Sequence, residues 1–326
     1  MATIHHRQPA LPDARSRAQA FEGRRIALTT IVSPRQTPSH PATAIVTASY
    51  APDLERCRLL CETIDSRVTG FTRHYILVEH SDVALFRQFE GPNRIVVDER
   101  DLLPGWLRSF RDPTSRFRRR IWLSARTMPL RGWHVQQLRR IGIALHAPEE
   151  AFVYCDSDVA FVRPFDCGSF WHGTDLGLFR REDALAGTPR SEQQDWSAHA
   201  GRILGIASPE TSPHDYIATL IAWRRDSTIA MCRRIEEVTG RHWVAGIASQ
   251  RMFSECMIYG RYAAEVAGLE GHYLSPDELC RVYWTGPQMS EADMRDFLDN
   301  LAPHQVAVGM QSFIGTDIGT IRRLVA

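Results

Sequence analysis

The chain has 326 residues with 39 basic and 38 acidic side chains, a net charge of +1, so its overall balance draws it toward neither nucleic acid nor a membrane. Every basic residue is an arginine, which excludes a Schiff-base lysine, a P-loop lysine and a lysine general base. Seven cysteines without a Cys-x-x-Cys spacing, and no apolar run long enough to span a bilayer, point to reduced thiols in a cytoplasmic protein with no transmembrane segment.

In chain order, residues 1–40 are rich in Arg, Pro, Ser and His and read as a flexible N-terminal arm. Residues 41–326 then form a single domain. A strand is expected over 44–48, a helix from Leu54 to about Ile64, a strand over 74–79, a helix over 82–89 and a strand over 94–97. This alternation predicts an α/β fold, a Rossmann-type α/β/α sandwich with a mostly parallel central sheet. Residues 108–131 are dense in arginine, and a helix follows over 133–146. Strands are expected over 151–155, 176–179, 217–223 and 304–310, and helices over 228–238 and 250–267. Ser290-Glu-Ala-Asp293 opens a last helix in the manner of a capping box.

The most informative segment is Ala-Phe-Val-Tyr-Cys-Asp156-Ser-Asp158, an apolar run that ends in two carboxylates. Aspartates are poor strand formers, and the carboxyl ends of parallel strands are where open α/β sheets bind ligands. A second apolar run follows at once, so the pair lies between two buried segments and needs a partner. A hard divalent cation, Mn²⁺ or Mg²⁺, prefers such oxygen ligands. The plain alternative is a polar turn after a buried strand.

The segment 152–165, Phe-Val-Tyr-Cys-Asp156-Ser-Asp158-Val-Ala-Phe-Val-Arg-Pro-Phe, resembles the metal-binding Asp-x-Asp region of GT-A-type glycosyltransferases, and is most similar to a group of bacterial GT-A-like proteins. The likeness extends upstream through Gly132-Trp133-His134-Val135-Gln136-Gln137 and downstream through Phe253-Ser254-Glu255-Cys256-Met257-Ile258-Tyr259-Gly260. It implies a GT-A-like domain with a nucleotide half near 41–166 and an acceptor half near 167–326. It further implies a nucleotide-diphosphate sugar as donor and a glycan or lipid-linked hydroxyl as acceptor. Asp158 would bind the metal directly and Asp156 would contact ribose or the metal shell. A late histidine, His304 or His272, would complete the ligand set, and Glu255 would activate the acceptor.

Other candidates come from the residues themselves. Tyr50 and Asp53 follow the first strand, where a base could stack and a ribose or ring nitrogen could be held; core packing for Tyr50 and helix capping for Asp53 compete with this. Arginines grip phosphate bidentately, and Arg119 and Arg120 stand nearest the Gln-Gln helix, although a basic cluster is commonly a solvated face. Gln136 and Gln137 point about 100° apart on a helix, so only one lines a site, and Gln137 is the expected one. Glu255 lies in an apolar helix, where a carboxylate either has a partner or a raised pKa; Asp195 and Asp215 are alternatives for its task. Two other functions fit parts of the pattern: an Asp-nucleophile phosphatase acting through Asp156, and a nucleotide-sugar-binding protein without turnover. No nucleic-acid-binding signature is present.

Overall fold

The structure is a computed structural model and describes residues 40–187 and 191–325; the arm expected over residues 1–40 lies, except for His40, outside them. Thr43–Ala48 (β1) is buried at every position, as a strand covered on both faces must be. Leu54–Arg67 (α1) then leads to His74–Val78 (β2), and Arg94–Asp98 (β3) follows. After Gly132–Gly142 (α2) come Ala151–Tyr154 (β4) and Val159–Phe161 (β5). Ile221–Arg224 (β6), Glu255–Arg261 (α3), Cys280–Tyr283 (β7) and Ala307–Met310 (β8) complete the elements that frame the site.

The central sheet has the order β6-β4-β1-β2-β3. Strands β4, β1, β2 and β3 run parallel, and β6 is antiparallel to β4. This is the mixed α/β architecture with a mostly parallel sheet that the alternating pattern predicts. The chain adds β2 and β3 on one side of β1 and β4 on the other. The reversal falls between β1 and β4, a topological switch point at which a crevice opens beyond the strand ends.

Both faces of the sheet are covered because alternate side chains on each strand must be buried. On one face α1 sets Leu60 and Ile64 against Ile45 and Val153, and Cys57 and Cys61 against Ile76 and Val78. On the other, the Tyr154 hydroxyl donates to the Arg140 carbonyl of α2 at 2.9 Å, and the Trp223 ring of β6 packs between those of Tyr154 and Tyr259. Strand β5 leaves the central sheet for a second one, pairing antiparallel with β8, which runs parallel to β7. Asp156 and Asp158 occupy the short step between the two sheets.

Several element boundaries differ from the sequence expectation. Helix α3 starts at Glu255 rather than near Gln250, because the Ser254 hydroxyl accepts from the Met257 amide and caps it there. Strand β6 starts at Ile221 rather than Ile217, since the Asp215 carboxylate accepts from the Ile217 amide and turns the chain. Strand β8 starts at Ala307 rather than His304. The stretch 82–89 is a single α-turn, Val83–Phe86, between 3₁₀ turns. Arg108–Arg111, Arg120–Leu123 and Leu130–Arg131 form an antiparallel three-stranded sheet that the arginine-rich sequence did not suggest. Among the described residues no helix is long and apolar enough to cross a membrane.

Candidate functional site

Four residues expected to share a site meet at the switch point. Tyr50 and Asp53 leave the carboxyl end of β1, and Asp156 and Asp158 leave that of β4. The loop after β1 is held by the Ala51 amide donating to Asp82 at 2.7 Å. Asp53 stands at the start of α1, but its side chain makes no capping bond. It is buried and instead faces the Ser157 hydroxyl, 3.4 Å from its Oδ2, and the Ser312 hydroxyl. Tyr50 is 47% exposed, so core packing does not explain it. Its hydroxyl also faces Ser312.

The two carboxylates of the Asp-x-Asp segment point to different partners. Asp158 turns one oxygen to the Ser312 backbone amide at 3.2 Å, and its own carbonyl accepts from the Met310 amide. Arg56 of α1 ties down the same late segment by donating to the carbonyls of Met310 and Thr316. Asp156 accepts from Gln136 at 3.3 Å and lies 3.5 Å from Arg140. Arg140 in turn lies 3.0 Å from Glu255. The Arg140 guanidinium is buried over the rings of Tyr154 and Trp223.

Carboxylates dominate this crevice. Burial, reinforced by Asp156 and Asp53, pushes the Asp158 carboxyl up to about 7. Burial likewise raises Asp53 and Glu255, the latter against the opposing charge of Arg140. Burial weakens the hold of the Arg140 guanidinium on its proton, but the facing Glu255 and Asp156 carboxylates outweigh this and raise it above its ordinary value. Clustered half-desolvated carboxylates with few cations are an environment that a divalent ion relieves.

The donor set fits such an ion through Asp158, with Asp156 turned aside by Gln136 and Arg140. A cation of the Mg²⁺ type needs only one or two carboxylates and takes its other ligands from water and substrate phosphates. The expected third ligand is elsewhere. His304 is exposed in the loop before β8, while Asp158 meets the far end of that strand, on the order of 10 Å away along it at about 3.3 Å per residue. His272 is also excluded, because both of its ring nitrogens are occupied, by the Tyr259 hydroxyl and by the Glu270 carbonyl. Among the described residues, the one His/Cys/Asp/Glu group whose ligand atoms already converge is Glu182, Asp183 and His214, two exposed and one half-buried.

Three other expectations need correction. Gln137 is buried and its side-chain carbonyl accepts from the Glu255 amide, so Gln136 is the glutamine that reaches the site. Arg120 is committed to an ion pair with Glu79 at the end of β2, while Arg119 is exposed and close enough to influence Tyr50. Glu255, expected to activate an acceptor, is only 5% exposed and paired with Arg140. Asp215 pairs with Arg181 at 2.7 Å and is structural, and Asp195 lies on the helix Glu192–Leu204.

Sequence reasoning missed Arg140, Arg56 and Ser312. Arg140 is one arginine among 39. Ser312 is 154 residues from Asp158, and no local pattern marks it.

Sheet order, switch point and carboxylate crevice together define a mixed α/β protein with one candidate ligand site at the carboxyl edge of its parallel strands. Residues 41–326 match the model of a family of unknown function, DUF6492, and the chain belongs to that family. No curated protein matches it.

Proposed function

We propose that the chain is a metal-dependent glycosyltransferase of GT-A type that uses a nucleotide-diphosphate sugar. The observation that carries this reading is the meeting of Tyr50, Asp53, Asp156 and Asp158 at the switch point between β1 and β4. The resemblance of residues 152–165 to the Asp-x-Asp region of those enzymes supports it independently. Tyr50 offers an exposed ring on which a base can stack, and Asp53 a buried carboxylate that can accept from a ribose hydroxyl or ring nitrogen. Arg119, exposed near Tyr50, is in reach of a diphosphate. A divalent ion at Asp158, when bound, would offset the charge that develops on the departing diphosphate. Arg140 fixes Asp156 at the crevice wall, and Glu255 acts through Arg140 as a positioning residue. The acceptor, a glycan or lipid-linked hydroxyl, enters from the open side of the crevice.

A second reading, nucleotide-sugar binding without turnover, draws on one observation: Glu255 is buried and paired, so it is not free to take a proton from an acceptor. Thermal unfolding with UDP, GDP and CMP, each with Mn²⁺ or EDTA, tests the donor site. Ligand at a hundredfold its dissociation constant stabilises by about 2.7 kcal/mol. A metal-dependent shift with one nucleotide, lost in Asp158→Ala, is expected; the absence of a shift with all of them defeats both readings for these donors. Slow metal-dependent release of sugar from the matching donor then separates transfer from binding alone.

A further inference from the structure

The three-stranded sheet within residues 108–131 stands apart from the carboxylate crevice in composition. This stretch holds eight arginines and one acidic residue, Asp112. Asp112 is buried, where it accepts from the Thr114 amide and lies 3.7 Å from Arg131. Arg108, Arg111, Arg116, Arg118, Arg119 and Arg126 are exposed. Ion pairs with acidic side chains are seen for none of these six among the described residues.

Strand pairing divides this sheet into two unlike faces. Residues directly opposite in an antiparallel pair share a face. Ser109 pairs with Trp122 and Trp122 with Leu130, and this face turns inward. There Trp122 donates to Glu99 at 3.1 Å, and Glu99 is clamped by Arg139. Arg108 pairs with Leu123, and Phe110 with Ile121, on the outward face. Phe110 is 48% exposed and Leu123 40%. At the tip Phe117 is 57% exposed, and both Arg116 and Phe117 hold positive φ, 53° and 63°. Few residues other than glycine tolerate that conformation, and here it directs an aromatic ring into solvent.

Single exposed apolar side chains are ordinary and mean nothing alone. An outward sheet face with Arg108, Phe110 and Leu123, beside a hairpin tip that exposes Arg116, Phe117 and Arg118, is a different case. A soluble polyanion would use the charges and leave the apolar side chains in water. A bilayer interface takes both: rings and leucine enter the headgroup boundary while guanidinium groups meet lipid phosphates. We propose that this outward face docks on an anionic phospholipid surface. The Arg120–Glu79 ion pair anchors the same hairpin to the carboxyl end of β2, so docking would bring the sheet edge that carries the crevice close to the lipid headgroups. The proposal does not depend on which reaction, if any, that crevice performs.

The test is cosedimentation of the full chain with phosphatidylcholine vesicles, with and without equimolar phosphatidylglycerol. Wild type is compared with Arg108→Gln/Arg118→Gln and Phe110→Ser/Phe117→Ser, and unchanged thermal midpoints show that the exposed substitutions leave the fold intact. Pelleting only with the anionic vesicles is expected, weakened by salt and reduced on the order of tenfold or more in each double variant. Failure to pellet with anionic vesicles overturns the proposal. Full binding by the Phe110→Ser/Phe117→Ser variant, with complete competition by heparin, overturns it in favour of a soluble polyanion. Equal pelleting with neutral vesicles overturns the electrostatic part.

Discussion

Replacing Arg140 by methionine isolates the electrostatic frame of the crevice. The guanidinium lies 3.0 Å from Glu255 and 3.5 Å from Asp156, and Glu255 is 5% exposed. Methionine keeps much of the volume against Tyr154 and Trp223, so the dominant change is loss of charge. Removing one member of a buried pair costs about 3–5 kcal/mol because the other charge is stranded. At roughly 2 °C per kcal/mol for a domain of this size, the midpoint should fall by roughly 6–10 °C at pH 8. Burial already raises the Glu255 carboxyl against Arg140, and removing Arg140 raises it further. A carboxyl raised in the folded state lets that state bind protons more tightly than the unfolded chain. Stability therefore falls as pH climbs from the unfolded value, about 4.3, through the folded one. The deficit of Arg140→Met should accordingly shrink at pH 5. Adding Glu255→Gln should recover part of the loss at pH 8, with a coupling on the order of 1–3 kcal/mol. The assay is thermal and chemical denaturation of the four proteins at both pH values. A cost below about 1 kcal/mol, independent of pH and additive with Glu255→Gln, would refute the ion-pair reasoning.

Asp158→Asn should stabilise the metal-free protein in EDTA at pH 8 by roughly 1–2 kcal/mol, a figure discounted for partial exposure, because the wild-type carboxyl is pushed up to about 7 and its charged form is disfavoured there. The gain should vanish below about pH 4, where the carboxyl is protonated in folded and unfolded chains alike, and equal midpoints at pH 8 would contradict it. Tyr50→Ala should weaken nucleotide binding by about 1–3 kcal/mol, read by calorimetry, with little change in midpoint, since the ring is 47% exposed. Tyr259→Phe should destabilise by about 1–3 kcal/mol in denaturant titration, because it strands the half-buried Arg224 amide and a nitrogen of the buried His272, both 2.8 Å from that hydroxyl.

Much of the fold was legible because its signals are local. The apolar runs at 44–48 and 74–78 follow from burial on both faces of a parallel sheet, which needs no distant partner to be read, and the half-buried edge strand at 94–98 keeps its apolar centre between Arg94 and Asp98. The Asp156-Ser-Asp158 segment was equally legible, since carboxylates that end a buried strand conflict with strand propensity. Boundaries set by one side chain were not, as with the Ser254 cap that starts α3 five residues late.

Composition and order along the chain thus determined an α/β sheet and marked the strand ends at Tyr50, Asp53, Asp156 and Asp158. Which way each carboxylate points was decided only by tertiary structure. Gln136 rather than Gln137 reaches Asp156, because helix phase is fixed by what α2 packs against. Ser312 meets Asp158 because β8 pairs with β5 across the second sheet. His304 falls away from the site because that pairing sets it at the opposite end of the strand. Contacts between residues more than a hundred positions apart leave no trace in local periodicity, and the charges that tune this crevice come from such contacts.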